Sequence, residues 1–599
     1  MTASSADDLF RTAAAKAASA LALVFLLAAP PSWAATSGPT MLLPDSERSP
    51  PSGGIQTPAP ARASDSVLSP TPIRTQELGL PDINAIGVPD PYGSGLGVEM
   101  WAGSSIDLVR KVLPILPGAA PSPAMHRLER RFLLSAATPP QGRSPDPAWL
   151  IRLRAGGLWS MGDTDAVLSL LKTVPDSALP GDLRRLMVDA ALLADDRATA
   201  CGARDSLRAA MPEDPYPEKL QVYCQIAKGE VQEAMLGVDL LRERALDDPL
   251  FFAAADAAAG IGAGSRPDKN WGSASALDLA MFRLANLPIP ESALRYIQPM
   301  ALIRAVALTP SADIAARLAA AERTAATGAL DTALLSQVYE SVTFTPKELD
   351  APAPDATARG RALLYRAAAR QTSSAAKAGF IAKALNTTGR DYLLAARLYA
   401  PQIAAIAPAP QLAGFAPDAA RALFAAGFKN EAQGWAQLAR GQAASDPAIA
   451  ARNASLWVVQ AIAAPSAENT VPEPALAEWR KAADASPAEF RQRRLAVAYG
   501  VLAAFGRKVP AEDWLPLFDG PIQAAHPGAS AAVWHGLRLA VENTRQGETV
   551  LMALLSLGGD GLDKIDAADL YRAVAALRLI GLEDDARALA VEAAIVNGA

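Results

Sequence analysis

The chain has 599 residues and a formal net charge of −6, and half of its residues are hydrophobic although only 6% are aromatic. Alanine supplies much of the apolar share. Because alanine has the best helix propensity and a small side chain, the composition favours an all-α fold of many closely packed helices over sheets. The chain has no cluster of lysine and arginine of the kind that displaces counterions from nucleic acid, and we therefore expect no nucleic-acid partner.

The N-terminus has the order of a secretory signal peptide. Arg11 and Lys16 precede an uncharged apolar run at residues 17–29, and the small-residue pattern SWA follows and ends at Ala34. This run is shorter than the roughly 20 apolar residues that span a membrane. We therefore expect cleavage after Ala34, export to a bacterial periplasm, and no membrane attachment after cleavage. Residues 1–34 are the predicted signal peptide.

A proline-rich region follows the predicted signal. Residues 35–79 combine proline with serine, threonine and glycine and contain few large apolar side chains. Such a composition cannot build a core, and proline stiffens the chain towards extended conformations. We predict a disordered or extended tether here, followed by an ordered N-terminal capping segment over 80–145.

The glycine-rich stretch GVPDPYGSGLGVEMW lies within this capping segment. Its spacing, G-x-G-x-G, differs from the dinucleotide fingerprint G-x-G-x-x-G, and no helix follows at once. Residues 90–93 have turn chemistry, and apolar residues alternate over 96–100, so we expect a small β-hairpin with the preceding INAIGV. If this segment contacts a ligand, Tyr92 and Trp101 are the expected contacts.

Two helices are predicted next. In SSIDLVRKVLPIL, Ser104 is a candidate N-cap, with Asp107 three residues later as in a capping box. In PAMHRLERRFLLSAA, four apolar residues fall on one face at helical spacing. These are Met125, Leu128, Phe132 and Leu133.

Beyond residue 146 the chain becomes repetitive. Ala166, Ala200 and Ala234 each lie near the start of a helix that follows a turn, and their numbers differ by 34 in both steps. Two later segments, ALFAAGFKNEAQGWAQLA and ALRLIGLEDDARALAVEA, align without a gap. The alignment pairs Gly427 with Gly581 and Ala432 with Ala586.

This pattern resembles the tetratricopeptide repeat, a 34-residue unit of two antiparallel helices with small residues where the helices touch. The resemblance implies an α-solenoid in which stacked hairpins share one core. The first helix of each unit lacks the usual large aromatic residue and glycine in register, so the repeats are degenerate. We expect tetratricopeptide-like repeats over 146–262, helical hairpins over 263–350 and C-terminal helical repeats over 351–599.

The chain has two cysteines, Cys201 and Cys224. In an oxidising compartment a sparse, even count is consistent with one structural disulfide, and two buried free thiols are the alternative. In the repeat register Cys201 lies at the start of the second helix of one repeat, and Cys224 lies in the first helix of the next. These helices are neighbours in a stack, which makes a bridge geometrically plausible.

The chain shows no pattern that predicts a catalytic, cofactor-binding or metal-binding site. His126, His526 and His535 lack the i, i+4 spacing of a metal-binding helix. Ser374 and Lys377 match S-x-x-K, but the accompanying motifs of the penicillin-recognising enzymes are missing, and a helix cap explains the serine. The aspartates of GGDGLDKIDAADL are spaced by three, which suits a helix connection better than a calcium loop.

The expected function follows from the architecture. Helical solenoids bind other proteins or peptides on their surfaces, and we expect a periplasmic scaffold or adaptor without catalysis. Two alternatives stay open, namely an enzyme or accessory protein of cell-wall metabolism and a structural envelope tether. The sequence identifies neither the partner nor the oligomeric state.

Overall fold

The computed structural model describes residues 82–91, 93–261, 270–353, 355–387, 391–463, 471–484, 486–519 and 528–598. The predicted signal peptide, the tether, Tyr92 and His526 lie outside these ranges. Within them the secondary structure is helical, with 28 α-helices joined by turns and short 3₁₀ helices and with no β-strand. The all-α prediction is therefore confirmed.

The first fourteen helices are α1 Ile106–Val112, α2 Pro123–Leu134, α3 Trp149–Met161, α4 Thr164–Lys172, α5 Gly181–Leu193, α6 Arg197–Gly202, α7 Arg204–Ala210, α8 Tyr216–Lys228, α9 Val231–Glu243, α10 Pro249–Ala258, α11 Ala276–Leu284, α12 Met300–Leu308, α13 Ile314–Thr327 and α14 Thr332–Glu340. The remaining helices are α15 Pro346–Asp350, α16 Ala358–Arg370, α17 Ser374–Thr387, α18 Tyr392–Ala404, α19 Ala416–Ala426, α20 Lys429–Gln442, α21 Pro447–Ser455, α22 Trp457–Ala463, α23 Glu473–Asp484, α24 Ala488–Ala504, α25 Ala531–Glu542, α26 Gln546–Leu557, α27 Ala567–Leu579 and α28 Glu583–Val596. The 3₁₀ helices are Leu113–Ile115, Asp176–Ala178, Trp271–Ser273, Glu291–Arg295, Pro410–Phe415 and Ala511–Asp519.

Neighbouring helices pair as antiparallel hairpins, and several of the connecting turns share one hydrogen-bond pattern. After α3, α5, α8, α19 and α27 the chain enters a left-handed residue, and the N–H of the next residue bonds to a carbonyl five positions back, as Phe428 does to Leu423 at 2.9 Å. This bond satisfies a carbonyl that the helix end would otherwise leave without a partner. The left-handed residues are Gly162, Asp195, Gly229, Gly427 and Gly581.

The two N-terminal helices form where the sequence places them. Helix α2 buries its predicted apolar face, and its N-cap is Ser122, whose side chain accepts from the Met125 N–H. Helix α1 is capped by Ser105, which accepts from Leu108, and not by Ser104, whose side chain is buried. The Ile106 N–H, one of the two that a cap at Ser104 could accept, bonds to the Gln141 carbonyl at 3.0 Å.

The predicted β-hairpin does not form: among the described residues of 82–101, the pairing is limited to one isolated bridge between Asp90 and Gly93. The segment bonds instead to the end of α2 and to the chain that follows it. Val88 donates to the Leu134 carbonyl at 3.0 Å, and Thr138 donates to the Val98 carbonyl at 2.8 Å. The alternating residues do lie in a segment that pairs through its main chain, but the segment that it pairs with lies about 40 residues downstream in the sequence.

The last helix, α28, lies at the centre of the packing. It contacts α27, the helix before it, and also α2, α18, α19, α22 and α24. Many of its side chains are alanines without exposed surface, including Ala586, Ala590 and Ala593. Small side chains let several helix backbones approach one helix closely, so the alanine-rich C-terminus joins distant parts of the chain in one core.

None of the helices over the described residues is long and apolar enough to cross a membrane.

Candidate functional site

The small residues of the sequence repeat lie where helices pack. Each of the alanines predicted to pack at helix crossings is at most 2% exposed, namely Ala166, Ala200, Ala234, Ala432 and Ala586. Gly427 and Gly581 end α19 and α27 with φ values of 84° and 86°. A residue with a Cβ is strained in this conformation, which explains why glycine occupies both turns. These residues hold the helices together and leave binding to other side chains.

The two cysteines form a disulfide. The Cα atoms of Cys201 on α6 and Cys224 on α8 are 5.9 Å apart, which is within the usual range for a bridge. The bond links the two helices across the short helix α7. Its role is structural, because Cys224 is buried in the core.

Trp101 does not offer a ligand contact, contrary to the expectation from the sequence. Its ring is 2% exposed, and it packs edge-on against Phe132 with the ring centroids 5.2 Å apart. Gly547 of α26 lies against the same indole and donates its N–H to the Met100 carbonyl at 2.8 Å. Trp101 therefore anchors the N-terminal segment to a C-terminal helix. Tyr92, the other candidate, is outside the described residues.

A groove of about 210 Å³ lies beside α20. One wall is a row of side chains at positions i, i+4 and i+7 of this helix, namely Gln433, Gln437 and Arg440, and this spacing places them on one face. Gln460 of α22 forms the other wall. The buried side chains of Phe424 and Ala436 complete the lining. We call this feature the Gln/Arg groove.

The polar groups of the Gln/Arg groove have unused hydrogen-bonding capacity. The Nε2 atom of Gln460 is buried without a partner. No hydrogen bond or ion pair from the described residues reaches the guanidinium of Arg440. A glutamine amide supplies both donors and acceptors, and a guanidinium supplies a fork of donors that fits a carboxylate. The groove can therefore pair with a peptide main chain and with an acidic group.

The groove contains no machinery for covalent chemistry. Its lining has two apolar residues, three amides and one guanidinium, and none of these groups is a nucleophile or a general base at neutral pH. Among the described residues no group of three or more His, Cys, Asp or Glu side chains is placed to hold a metal ion. What the groove offers is recognition through hydrogen bonds.

A second polar cluster is buried where α2 meets the turn between α3 and α4. Asp163 in this turn lies 3.0 Å from His126 Nε2 and 2.9 Å from Arg130 Nη1. Burial alone would raise the pKa of Asp163. The charges of His126, Arg130 and Arg304 outweigh this effect and hold that pKa below its ordinary value. Burial raises the pKa of Glu129 to about 8, and the negative charge of Asp163 acts in the same direction.

This cluster is sealed by packing. Glu129 is 2% exposed and His126 is 6% exposed. The His126 ring also lies against the turn glycine Gly328, where an added Cβ would come within 3.1 Å of it. We assign the cluster to the joining of α2 with the hairpin that follows it, since Glu129, His126 and Asp163 are all buried between these helices.

The sequence analysis did not single out the groove residues. The spacing of Gln433, Gln437 and Arg440 is visible in NEAQGWAQLAR, on the face of α20 opposite to Trp435 and Ala439. That polar stripe reads as an ordinary solvated helix face. Gln460 gives no signal, because only the folded chain brings α22 beside α19.

Comparison of the chain with protein-family models found no match. Comparisons with curated proteins and with solved structures also found no significant match.

Proposed function

We propose that this protein is an exported helical-repeat binding protein that holds an extended segment of a partner protein in the Gln/Arg groove. The observation that carries the proposal is the set of unpaired polar groups on the two sides of that groove. The exposed side chains of Gln433, Gln437 and Arg440 line one wall, and Gln460, whose Nε2 is buried without a partner, lines the other.

The ligand class follows from these groups. Side-chain amides pair with the N–H and C=O groups of an extended main chain, as a neighbouring strand would. Arg440 favours a carboxylate over a neutral side chain because a bidentate guanidinium pair is a charge-assisted bond. We therefore propose an extended peptide with an acidic residue, or with its own terminal carboxylate, as the occupant.

The proposed compartment rests on two features. The order of charged, apolar and small residues in the first 34 positions is that of an export signal. The Cys201–Cys224 disulfide fits an oxidising compartment such as the periplasm, where such bonds persist. In this proposal the tetratricopeptide-like hairpins are the scaffold that presents the groove.

A peptide-binding measurement tests the proposal. The wild-type chain is screened against immobilised random decapeptides, and the binders are remeasured in solution by fluorescence anisotropy with each acidic group free or amidated. We expect acidic peptides to be selected, and the Arg440→Gln variant to bind them at least about tenfold more weakly.

Arg127→Gln is the matched control, because Arg127 is an exposed arginine of α2 far from the groove in the sequence. It should bind as the wild type does. Gln437→Leu tests the amide contribution separately. Equal affinity of the wild type and Arg440→Gln for every selected peptide would refute the assignment of the groove.

A further inference from the structure

A second set of unpaired groups surrounds Arg494 on α24. This arginine is 8% exposed, and its guanidinium lies over the Trp479 ring with Cζ 5.3 Å from the ring centroid. Its Nε and Nη2 atoms are buried and have no hydrogen-bond partner. Among the described residues no carboxylate forms an ion pair with it. Arg494 is therefore a buried cation for which the described residues supply no counter-ion.

Such an arrangement is energetically unfavourable for the chain alone. A buried charge needs a paired charge and hydrogen bonds to offset the loss of hydration. Burial lowers the pKa of Arg494 to about 10, and the positive charge of Arg421 acts in the same direction. The charge of Arg421 thus repels that of Arg494.

Arg421 contributes a second guanidinium from α19. Its Nη2 donates to the Ile595 carbonyl near the end of α28 at 3.0 Å, and its Nε is buried without a partner. The guanidinium stacks on Tyr392, with Cζ 5.3 Å from the ring centroid. Helices α19 and α24 both pack against α28, which brings the two arginines to the same part of the fold.

The neighbouring Arg493, unlike Arg494, has hydrogen-bond acceptors for its guanidinium. Its Nε donates to Asn597 Oδ1 at 2.5 Å, and its Nη2 donates to the Ile565 carbonyl at 2.8 Å. Among the described residues, acceptors therefore reach Arg493, whereas Nε and Nη2 of Arg494 have none. The unused groups at Arg494 and Arg421, and the buried Nε1 of Trp479, are donors that have no acceptor function. Water can satisfy such donors but cannot balance the charge.

We propose that Arg494 and Arg421 form a binding site for a small oxyanion, either a phosphate group or a carboxylate. The guanidinium fork matches the oxygen spacing of both. The stacking of each guanidinium on an aromatic ring, Trp479 and Tyr392, orients the fork before the anion arrives. This site is separate from the Gln/Arg groove and does not depend on the function proposed for it.

Thermal unfolding and calorimetric titration test this site on the full chain. Wild type and Arg494→Met are compared in sodium phosphate, sodium acetate and sodium chloride at equal ionic strength. We expect phosphate or acetate to raise the wild-type Tm above its value in chloride, because an anion that binds only the folded state stabilises it. Arg494→Met should lose this increment and bind the anion at least about tenfold more weakly.

The stability difference between Arg494→Met and the wild type should have opposite signs in chloride and in phosphate. This change of sign distinguishes anion binding from a role of Arg494 in packing alone. Without a bound oxyanion, Arg494→Met should be at least as stable as the wild type, since it removes an unpaired buried charge and keeps a similar apolar stem. Phosphate should reverse this order. A response to phosphate alone identifies a phosphate site, and a response to acetate as well identifies a general oxyanion site.

Two variants complete the test. Arg127→Met, an exposed arginine, should keep the full anion response and corrects for general salt effects. Arg494→Lys keeps the charge but loses the fork, and it should bind more weakly than the wild type. The proposal is overturned if the wild-type Tm is the same in the three salts, or if Arg494→Met responds to phosphate as strongly as the wild type does.

Discussion

Glu592 in the last helix accepts a hydrogen bond from the Ser122 hydroxyl at 2.7 Å, across 470 positions of the sequence. Its other oxygen accepts the N–H of Ala124 at 2.9 Å. A carboxylate from α28 therefore caps the N-terminus of α2, where unpaired N–H groups and the helix dipole favour negative charge. This contact links the two ends of the described chain.

Removal of this carboxylate should destabilise the whole fold. We expect Glu592→Ala to lower the free energy of unfolding by roughly 2 to 3 kcal/mol, because Ser122 and the Ala124 N–H would stay buried without their acceptor. Glu592→Gln keeps one acceptor and should lose less. Urea denaturation of both variants measures the difference, and a double-mutant cycle with Ser122→Ala isolates the coupling. Additive losses in that cycle would contradict a direct link.

The disulfide should stabilise the α6–α8 region. Cys201 and Cys224 are 23 positions apart, and a loop of this size implies a stabilisation of about 3 kcal/mol in the loop-entropy model. The double variant Cys201→Ser/Cys224→Ser should therefore unfold at lower urea concentration than the oxidised wild type. Reductant should shift the wild type towards the variant and leave the variant unchanged. Titration of two free thiols in unfolded, never-reduced protein would contradict the bridge.

The buried Glu129 should make stability fall as the pH rises. Its pKa is raised in the folded state from 4.5 to about 8. The folded chain therefore holds a proton at this site that the unfolded chain releases, and stability decreases from about pH 4.5 to pH 8. Glu129→Gln removes the ionisation, so we expect the variant to exceed the wild type by on the order of 5 kcal/mol at pH 9. The two should converge near pH 4.

Urea midpoints measured from pH 4 to pH 9 give this comparison. Asp163 contributes the opposite slope, because its pKa is lowered in the folded state and its stabilisation is lost as the pH falls. The difference between wild type and Glu129→Gln cancels that shared term. A difference that is constant over the pH range would show that Glu129 does not titrate as stated.

Two exposed glycines should respond in opposite directions to alanine. Gly427 ends α19 with a φ of 84°, and nothing lies within 4 Å of an added Cβ, so Gly427→Ala introduces backbone strain alone. We expect a loss of about 1 kcal/mol. Gly379 lies inside α17 with the same open surroundings, and Gly379→Ala should gain about 0.5 to 1 kcal/mol. Thermal unfolding of both variants checks the signs, and a stabilised Gly427→Ala would argue against the left-handed turn.

Local features of this protein could be predicted from its sequence. The alanine-rich helices, the turn glycines at positions such as 427 and 581, and the Cys201–Cys224 bridge all depend on interactions between residues close in the chain. Helix propensity, capping and the αL preference of glycine act over a few residues, and a disulfide between adjacent helices spans little more. These local preferences can be inferred from the sequence without knowing where residues distant in the sequence lie in the fold.

Contacts between residues that are distant in the sequence determined the features that could not be predicted. The alternation at 96–100 indicated an extended segment, but its partner was chosen by α2 and the residues after it. Trp101 looked like a surface aromatic until α26 packed against it. The far wall of the Gln/Arg groove and the placement of Arg494 within the influence of Arg421 arise only when α19, α22 and α24 meet around α28. Which polar groups remain unpaired depends on these contacts, since burial and hydrogen bonding are properties of the packed chain. Composition and local pattern therefore determined the helices, and tertiary packing determined the sites.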